Sequence, residues 1–472
     1  MNNEHTSPMA DPSRRRFLQQ LGVGAVTTSA LLSSCGDGSQ RTAEQSPSLT
    51  GDIPTDQMTY RTNPKTGEQV SLLGYGCMRW PTLKEEGDPI DQETVNRLVD
   101  YAIAHGVNYF DTAPPYCRGL SEKVTGMALK RHPRKSYYIA TKMSNFDVID
   151  KGLSPKESFD TSVEMYRNSL RDLQTDYIDY YLLHVVGIGK GVPTLKERFF
   201  DNHLIDFLLK EREEGRIRHL GFSYHGDIKS FDYMLSRHDE FKWDFVQIQL
   251  NYVDYRHASG SNYNADYLYA ELDKRNIPVV VMEPLLGGRL ADLTDHLNAS
   301  LKQCRPEDSI ASWAFRFAGS FPRVLTVLSG MTYMEHLQDN IRTYSPLEPC
   351  TKDEMALLEE TAQMLMKYPT VPCTTCQYCM PCPYGIDIPG IFAHYNKCIH
   401  KGYMASSTQD ENYRSARRAF LVGYDRSVPR MRQANHCIGC GKCTQHCPQE
   451  IDIPAEMQRI DQYVERLKTM KD

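Results

Sequence analysis

The sequence predicts an α/β protein in two parts, a TIM-type (β/α)8 barrel followed by a small, mainly helical domain. Two observations support this prediction. Short runs of β-branched and aromatic residues alternate with amphipathic stretches over residues 65–345, which is the pattern of repeated βα units. Nine of the 14 cysteines then lie between Cys373 and Cys447, so they form one local cysteine-rich region and not a scattered disulfide framework.

Eight runs have the length and composition of strands, and eight strands with intervening helices fit a closed parallel barrel. The strand candidates are Val70–Tyr75, Val107–Asp111, Tyr137–Lys142, Tyr177–His184, Arg218–Phe222, Phe245–Leu250, Pro278–Met282 and Val324–Leu328. The helical patterns between them include Gln92–Ala104, Pro155–Leu173, Leu204–Glu214 and Met334–Tyr344. A doubly wound open sheet is the alternative, but no Gly-x-Gly-x-x-Gly turn follows the first strand, which favours the barrel.

Length and charge set broad limits on the protein class. A chain of 472 residues accommodates one barrel of about 250 residues and one smaller domain. The net charge of -6 and the lack of a long basic run argue against general nucleic-acid binding.

The N-terminal residues 1–35 have the features of an export signal. The segment 13–19 carries the paired arginines and following apolar residues of a twin-arginine signal, and the apolar stretch 21–32 is too short to span a bilayer. The segment 32–35 resembles a bacterial lipobox, which would place a lipid on Cys35; a chance cysteine is the alternative. We therefore expect a periplasmic or cell-envelope protein, attached to the membrane only if Cys35 is lipidated, with residues 36–60 as a flexible tether.

Polar side chains end three consecutive predicted strands, where barrel enzymes place their chemistry. Asp111, Lys142 and His184 occupy these ends, and Tyr116 follows in the loop after the second strand. A tyrosine exchanges protons poorly at neutral pH unless a nearby cation stabilises its phenolate. We expect Lys142 to supply that charge, Asp111 to hold Lys142, and His184 to orient a substrate oxygen.

These residues lie in motifs that resemble those of the aldo-keto reductases. The run Asn108–Tyr116, with Ser121 and Glu122 beyond it, resembles the Asp/Tyr motif of that family, and Ala140–Lys142 and Leu182–His184 match its Lys and His motifs. The resemblance covers about residues 65–345 and implies Tyr116 as general acid or base, with Asp111, Lys142 and His184 as the other catalytic residues. It also implies a small carbonyl or alcohol substrate.

The resemblance further implies a nicotinamide cofactor, NAD(P). The positions that match the family's cofactor contacts are Met78, Ser223, Gln247, Met282, Pro284 and Leu285, with Gly330, Met331 and Asn340 on the adenosine side. The adenosine-side loop offers Gly330 and His336 in place of the Lys and Arg that would grip a 2′-phosphate, so a preference for NADP is not supported. The loop after Tyr116 is also longer than the family's usual form, and Met282 replaces a common aromatic residue.

The cysteines form two similar runs, each ending in Cys-Pro and continuing as Ile-Asp-Ile-Pro. In two-cluster ferredoxins three cysteines at x2 spacing hold one cluster, and the cysteine before proline ligates the other. We therefore expect a ferredoxin-like domain over residues 369–465 that holds two 4Fe–4S clusters. The expected ligand sets are Cys373, Cys376, Cys379 and Cys447 for the first cluster, and Cys437, Cys440, Cys443 and Cys382 for the second.

Some alternatives stay open for this domain. The first run is one residue short of the usual x3 spacing before Cys382, which makes Cys398 a substitute candidate. Two structural zinc sites are an alternative to clusters, although zinc gives no reason for the Cys-Pro endings. Six arginines between Arg414 and Arg432 either ease burial of an anionic cluster, dock an acidic partner, or form a solvated helix face.

The expected function is that of an exported oxidoreductase that interconverts a carbonyl and an alcohol with bound nicotinamide, while electrons pass through the two clusters to a redox partner protein. Hydride transfer moves two electrons and a cluster moves one, and no flavin motif is evident. The alternative is an iron–sulfur electron-transfer protein whose barrel is a docking scaffold; a reductase with structural clusters is a third reading. A connecting helix is expected within residues 346–368.

Overall fold

The protein is described from a computed structural model, which covers residues 53–470 apart from 84–86, 88, 147, 149–150 and 261. The predicted export signal, Cys35 and most of the predicted tether lie outside the described residues. Export and lipidation therefore stay predictions.

A closed parallel barrel of eight strands forms the larger part of the described chain. Its strands are β3 (Leu73–Gly76), β4 (Tyr109–Asp111), β5 (Tyr138–Met143), β6 (Ile178–Val186), β7 (Ile217–Tyr224), β8 (Phe245–Gln249), β9 (Val279–Met282) and β10 (Val324–Ser329). Each strand pairs with the next in sequence, and β10 pairs with β3 to close the barrel. All eight predicted strands are confirmed, and so is the TIM-type fold class.

The first barrel strand begins later than predicted, because a hairpin precedes it. Its strands β1 (Tyr60–Thr62) and β2 (Gln69–Ser71) pair antiparallel, so Val70 and Ser71 belong to the hairpin. The signal that reveals the hairpin is the turn-forming run Asn63-Pro64-Lys65-Thr66-Gly67, in which Gly67 has a φ of 75°. From the hairpin, the Glu68 carboxylate accepts a hydrogen bond from His219 Nε2 at 2.7 Å, which fixes it to the barrel.

Helices surround the barrel and build the second domain. In the described residues they are α1 (Gln92–Ala104), α2 (Ser121–Leu129), α3 (Pro155–Asp172), α4 (Val192–Phe199), α5 (Leu204–Glu213), α6 (Ile228–Ser236), α7 (His238–Phe241), α8 (Asp254–His257), α9 (Ala265–Lys274), α10 (Asp295–Cys304), α11 (Ile310–Gly319), α12 (Met334–Thr343), α13 (Lys352–Leu365), α14 (Ile388–His400), α15 (Tyr413–Ser427) and α16 (Ile453–Thr469). Helix α3 begins with a capping box of Ser154 and Glu157, with Pro155 at its first position. Helix α13 lies within the predicted connecting segment.

The barrel is packed on both faces of its sheet, as its β-branched and aromatic strands require. Inside it, residues such as Tyr109, Tyr180, Phe245 and Val280 form one buried cluster. A larger cluster lies between the strands and the outer helices. Hydrophobic side chains therefore fill the barrel, so the site has to form at its rim.

The C-terminal domain is mainly helical and has a core of its own. Helices α14, α15 and α16 bury side chains that include Phe392, Phe420 and Met457, and several cysteines pack against this core. None of the described helices has the length and apolar composition needed to cross a membrane.

Candidate active site and cysteine centres

The predicted catalytic residues converge at the C-terminal end of three neighbouring strands. Asp111 ends β4, and Lys142 and His184 lie on β5 and β6, which pair in that order. The Lys142 ammonium is fully buried and donates to Asp111 Oδ1 at 2.6 Å and to the Thr112 carbonyl at 2.7 Å. The expected contact between Asp111 and Lys142 is therefore present in the fold.

Tyr116 lies beside this pair, with Lys142 Nζ 4.9 Å from the centre of its ring. Burial raises the pKa of the Tyr116 phenol well above 10, and the negative charge of Asp111 acts in the same direction. We expected Lys142 to lower this pKa, but its ammonium is engaged by Asp111 and burial outweighs it. The phenol accordingly keeps its proton at neutral pH, which suits a proton donor.

His184 faces Tyr116 edge-on, with their ring centres 6.0 Å apart. Burial holds the pKa of His184 well below its usual value, and the nearby charges of Lys142 and Arg198 add to this, so the ring is neutral. The Ser144 hydroxyl lies 2.6 Å from Nδ1 of the ring. The buried Arg198 guanidinium donates to the His184 carbonyl at 2.8 Å, so both side chain and backbone of His184 are held.

Glu122, from the predicted Asp/Tyr motif, is a buried acid next to the site. It lies at the start of α2 and accepts a hydrogen bond from Thr141 Oγ at 2.5 Å. Thr141 directly precedes Lys142 in sequence. Burial raises the pKa of Glu122 to about 7, from a value of 4.5 in an exposed chain. Between pH 4.5 and about 7, Glu122 therefore keeps its proton in the folded protein but has lost it in the unfolded chain.

We predict that Glu122 makes the folded state less stable as pH rises. The contribution of Glu122 to the free energy of unfolding is fully present below pH 4.5 and is lost as pH rises through about 7. Between pH 5 and 8 the loss is roughly 2–3 kcal/mol. The neutral, isosteric variant Glu122→Gln lacks this loss. Urea unfolding of both proteins at pH 5 and pH 8 measures the difference, and parallel pH dependences would contradict the assignment.

The residues predicted to contact nicotinamide also gather at this end of the barrel. Gln247 on β8 donates to Met282 Sδ at 3.4 Å, and its buried amide oxygen has no hydrogen-bond partner among the described residues. The Ser223 hydroxyl accepts from the Val185 amide at 2.9 Å. The other predicted contacts lie in the segments that follow β3, β9 and β10 and in α12, namely Met78, Pro284, Leu285, Gly330, Met331 and Asn340.

The segment from Cys373 to Cys379, which we call the cap, lies over this end of the barrel. The hydroxyl of Tyr378 is 3.1 Å from His184 Nε2, and its phenol lies next to that of Tyr116. This contact could not be predicted from the sequence, because Tyr378 lies 194 residues beyond His184 and stands in no recognised motif. The cysteine-rich domain thus reaches the predicted catalytic residues directly.

Arg79 is a second site residue that the sequence analysis missed. Its guanidinium donates to the Thr374 carbonyl and to the Thr375 hydroxyl, both at 2.8 Å. Its side chain also lies along Gly330, where an added Cβ would come within 3.3 Å of Arg79 Cδ. Arg79 therefore links the cap to the loop after β10.

A nicotinamide dinucleotide does not fit these residues as they are arranged. The unpartnered oxygen of Gln247 suits a carboxamide, but the route from there to the adenosine side passes between the loops after β9 and β10. Arg79 and the cap residues Thr374 and Thr375 fill that route.

The structure brings members of each expected cysteine set together. Burial raises the pKa of Cys376 to about 12, and the nearby thiols of Cys373 and Cys447 act in the same direction. One cavity is lined by the members of the second set together with Ile386, Ile388 and Met457, namely Cys382, Cys437, Cys440 and Cys443. Cys447 thus lies near the first run and Cys382 near the second run, which is the arrangement that two 4Fe–4S clusters would need.

Cys398, the substitute candidate, is placed elsewhere. It is buried in α14, where its sulfur lies 3.4 Å from His394 Nε2, and it does not line the cavity of the second set. Cys382 does line that cavity. The position of Cys382 therefore supports its predicted role despite the shortened spacing.

Comparison with known proteins identifies both parts of the chain. Residues 72–363 match the model of the aldo/keto reductase family, and residues 372–451 match that of a 4Fe-4S dicluster domain. L-galactose dehydrogenase of Arabidopsis thaliana is 26% identical over 316 residues, which are 63% of this chain and 91% of that protein. The uncharacterized oxidoreductase YqkF of Bacillus subtilis (strain 168) is 26% identical over 320 residues, 63% of this chain and 95% of its own.

A solved structure shares the barrel fold. The holo form of aldo-keto reductase AKR11C1 from Bacillus halodurans aligns with a TM-score of 0.50 and 24% identity, over 64% of this chain and 96% of that one. The family match covers well over half of the 472 residues, from 72 to 363. The chain is therefore an oxidoreductase of the aldo/keto reductase family that carries a C-terminal 4Fe–4S dicluster domain.

Proposed function

We propose that this protein interconverts a small carbonyl compound and its alcohol at Tyr116 and His184, and that electrons pass through two 4Fe–4S clusters in its C-terminal domain. One observation supports this proposal above the others. The hydroxyl of Tyr378 lies 3.1 Å from His184 Nε2 and next to the Tyr116 phenol, which is the position that a substrate oxygen needs. A carbonyl oxygen that displaces the Tyr378 hydroxyl would accept from both Tyr116 and His184.

The barrel residues then have distinct tasks. Reduction of the carbonyl takes up two electrons, which the clusters would deliver singly from the external reductant, and two protons. Tyr116 gives the proton that passes to the substrate oxygen, or accepts it in the reverse direction, and the proton for carbon comes from solvent. His184 orients that oxygen through Nε2, which can donate when Nδ1 accepts from the Ser144 hydroxyl. The Lys142 ammonium, fixed by Asp111, lies 4.9 Å from the centre of the Tyr116 ring and holds the phenol in place by a cation–π contact.

The C-terminal domain supplies the redox group. Cys373, Cys376, Cys379 and Cys447 would hold the first cluster, and Cys437, Cys440, Cys443 and Cys382 the second. When bound, such clusters exchange one electron each, at potentials that neighbouring charge and exposure adjust. The exposed Arg430 and Arg432 near the second set suit an acidic redox partner protein.

The proposal includes export by the twin-arginine route to the periplasm or cell envelope, with lipid attachment at Cys35 as a further expectation. It rests on the motif at residues 13–19 alone. A fluorescent fusion to the first 35 residues tests it, since replacement of Arg14 and Arg15 by lysine should retain the fusion in the cytoplasm.

A panel of small aldehydes, ketones and alcohols tests the activity. Under anaerobic conditions, carbonyl compounds are offered to the iron-loaded protein with a reduced viologen dye, and alcohols with the oxidised dye. We expect at least one pair to show saturable turnover. If the dye reduces the clusters but no panel compound is turned over, the second candidate function is favoured. In that function the protein only transfers electrons, its barrel is a docking scaffold, and Tyr378 closes the oxygen position permanently.

The cluster assignment predicts a difference between two cysteine variants. Cys382→Ser removes a ligand of the second set and should lower the iron content by about four atoms per chain. Cys398→Ser, a matched change in the same domain, should leave it unchanged. Iron analysis with the absorption spectrum measures both, and equal iron loss in the two variants would contradict the assignment.

A further inference from the structure

The cap lies in the part of the barrel where the family resemblance predicts a dinucleotide. The predicted contacts lie on both sides of the route. Met282 ends β9 and Pro284 and Leu285 follow it, while Gly330 and Met331 follow β10. An extended cofactor has to cross between these two loops. The chain itself crosses there instead.

Arg79 closes the route from the side of β3 and β10. Its side chain lies against Gly330, and its guanidinium donates two hydrogen bonds of 2.8 Å to Thr374 and Thr375. These bonds join residues that are 295 and 296 apart in sequence. They also leave the positive charge of Arg79 facing the cap rather than an open anion site.

Thr374 closes the route from the side of β9. Its side chain is nearly fully buried, and its backbone lies directly on Gly287. A Cβ added to Gly287 would lie 2.4 Å from Thr374 Cα, so only glycine allows the cap to approach this closely. Gly287 is thus shaped for the cap.

Tyr378 extends the same segment to the catalytic residues. Its ring packs against Phe146 and His184, with ring centres 6.2 and 6.0 Å apart, and its hydroxyl occupies the oxygen position. Two predicted ligands of the first cluster, Cys376 and Cys379, lie on either side of it in sequence. The residues that would hold this cluster therefore lie over the barrel rim, where the family resemblance predicts nicotinamide.

We propose that the cap has replaced the nicotinamide dinucleotide, so that this barrel binds no NAD(P) and meets the iron–sulfur domain through Tyr378 instead. The proposal rests on the proposed function only for the identity of the oxygen position. The exclusion of nucleotide follows from the cap, Arg79 and Gly287 whether or not the barrel turns over a carbonyl compound.

Nucleotide titration of the iron-loaded full chain tests the exclusion. Under anaerobic conditions NADH, NADPH and their oxidised forms are titrated in turn by calorimetry. We expect no saturable binding up to about 1 mM, the weak end of ordinary affinities. A dissociation constant in the micromolar range for any of the four would overturn the proposal.

Two neighbouring glycines provide a matched test of where the cap lies. Gly287 and Gly288 both have positive φ, 69° and 95°, so alanine strains the backbone at either position. Only Gly287 contacts the cap, since an added Cβ at Gly288 meets nothing within 4 Å. Gly287→Ala should therefore displace the cap and change the low-temperature EPR spectrum of the reduced protein, with loss of up to about four irons.

Gly288→Ala should keep the wild-type spectrum and iron content. Wild-type spectra in both variants would overturn the proposal, because the cap would then lie away from Gly287. Neither the titration nor the spectra require turnover. If no panel compound is turned over and no nucleotide binds, only the proposed function is refuted. If a panel compound is turned over and a nucleotide binds, only the replacement of nicotinamide by the cap is refuted.

Discussion

Tyr116→Phe is expected to lower turnover by roughly 10²- to 10⁴-fold, the range typical of a lost general acid or base. The phenol is buried beside both Lys142 and His184, and it is the group assigned to give its proton to the substrate oxygen, while His184 orients that oxygen. Tyr378 hydrogen-bonds His184 and occupies the oxygen position itself. The change removes one oxygen atom and leaves the ring packing in place.

The measurement is steady-state turnover with a substrate from the carbonyl panel, together with iron content. Tyr181→Phe is the matched control, because that buried phenol lies on the same strand as His184 and its hydroxyl has no hydrogen-bond partner in the part of the chain that the structure describes. We expect full activity and full iron in the control, and full iron without activity in Tyr116→Phe. Wild-type turnover in Tyr116→Phe would refute the catalytic assignment.

Lys142→Met is expected to lower the free energy of unfolding by about 3–5 kcal/mol, the cost of removing one partner from a buried ion pair. Lys142 is fully buried and Asp111 is nearly so, and their contact is 2.6 Å. Methionine fills a similar volume but leaves the Asp111 carboxylate without its cation. Burial already raises the pKa of Asp111. The loss in the free energy of unfolding should therefore grow as pH rises, because the carboxylate then has to ionise without its cation.

Chemical denaturation at several pH values measures this effect. The double variant Asp111→Asn with Lys142→Met removes both charges and should recover much of the lost stability. Lys156→Met, which breaks the exposed pair with Asp160, should change stability little. A double variant no more stable than Lys142→Met would show that the loss comes from packing and not from the unpaired charge.

The barrel could be predicted because its signals are local. Each strand is a short β-branched or aromatic run between helical patterns, and each of the eight predicted runs overlaps a barrel strand. The start of the first strand was misplaced, since Val70 and Ser71 continue the same apolar pattern while pairing with Arg61 and Tyr60. Strand pairing in that hairpin is decided by its turn, and the Asn-Pro and Gly residues of the turn are the feature of the sequence that indicates the hairpin.

The site could be predicted where it follows from barrel geometry. Asp111, Lys142 and His184 meet because consecutive parallel strands end at one rim, which sequence order already implies. The contacts of Tyr378 and Arg79 could not be predicted, since they join residues 194 to 296 positions apart across two domains. The direction of the Tyr116 pKa was also wrong, because it depends on how deeply the packed fold buries the phenol.

The central claim is that the partner of this aldo/keto reductase barrel is its own iron–sulfur domain and not nicotinamide. The most direct measurement is the composition of the protein purified anaerobically from the cytoplasm of an export-blocked host, with metal analysis and assay of nucleotide released on denaturation. We predict about eight irons per chain, as two four-iron clusters require, with no stoichiometric nucleotide. Zinc in place of iron, or one nicotinamide dinucleotide per chain, would contradict the claim.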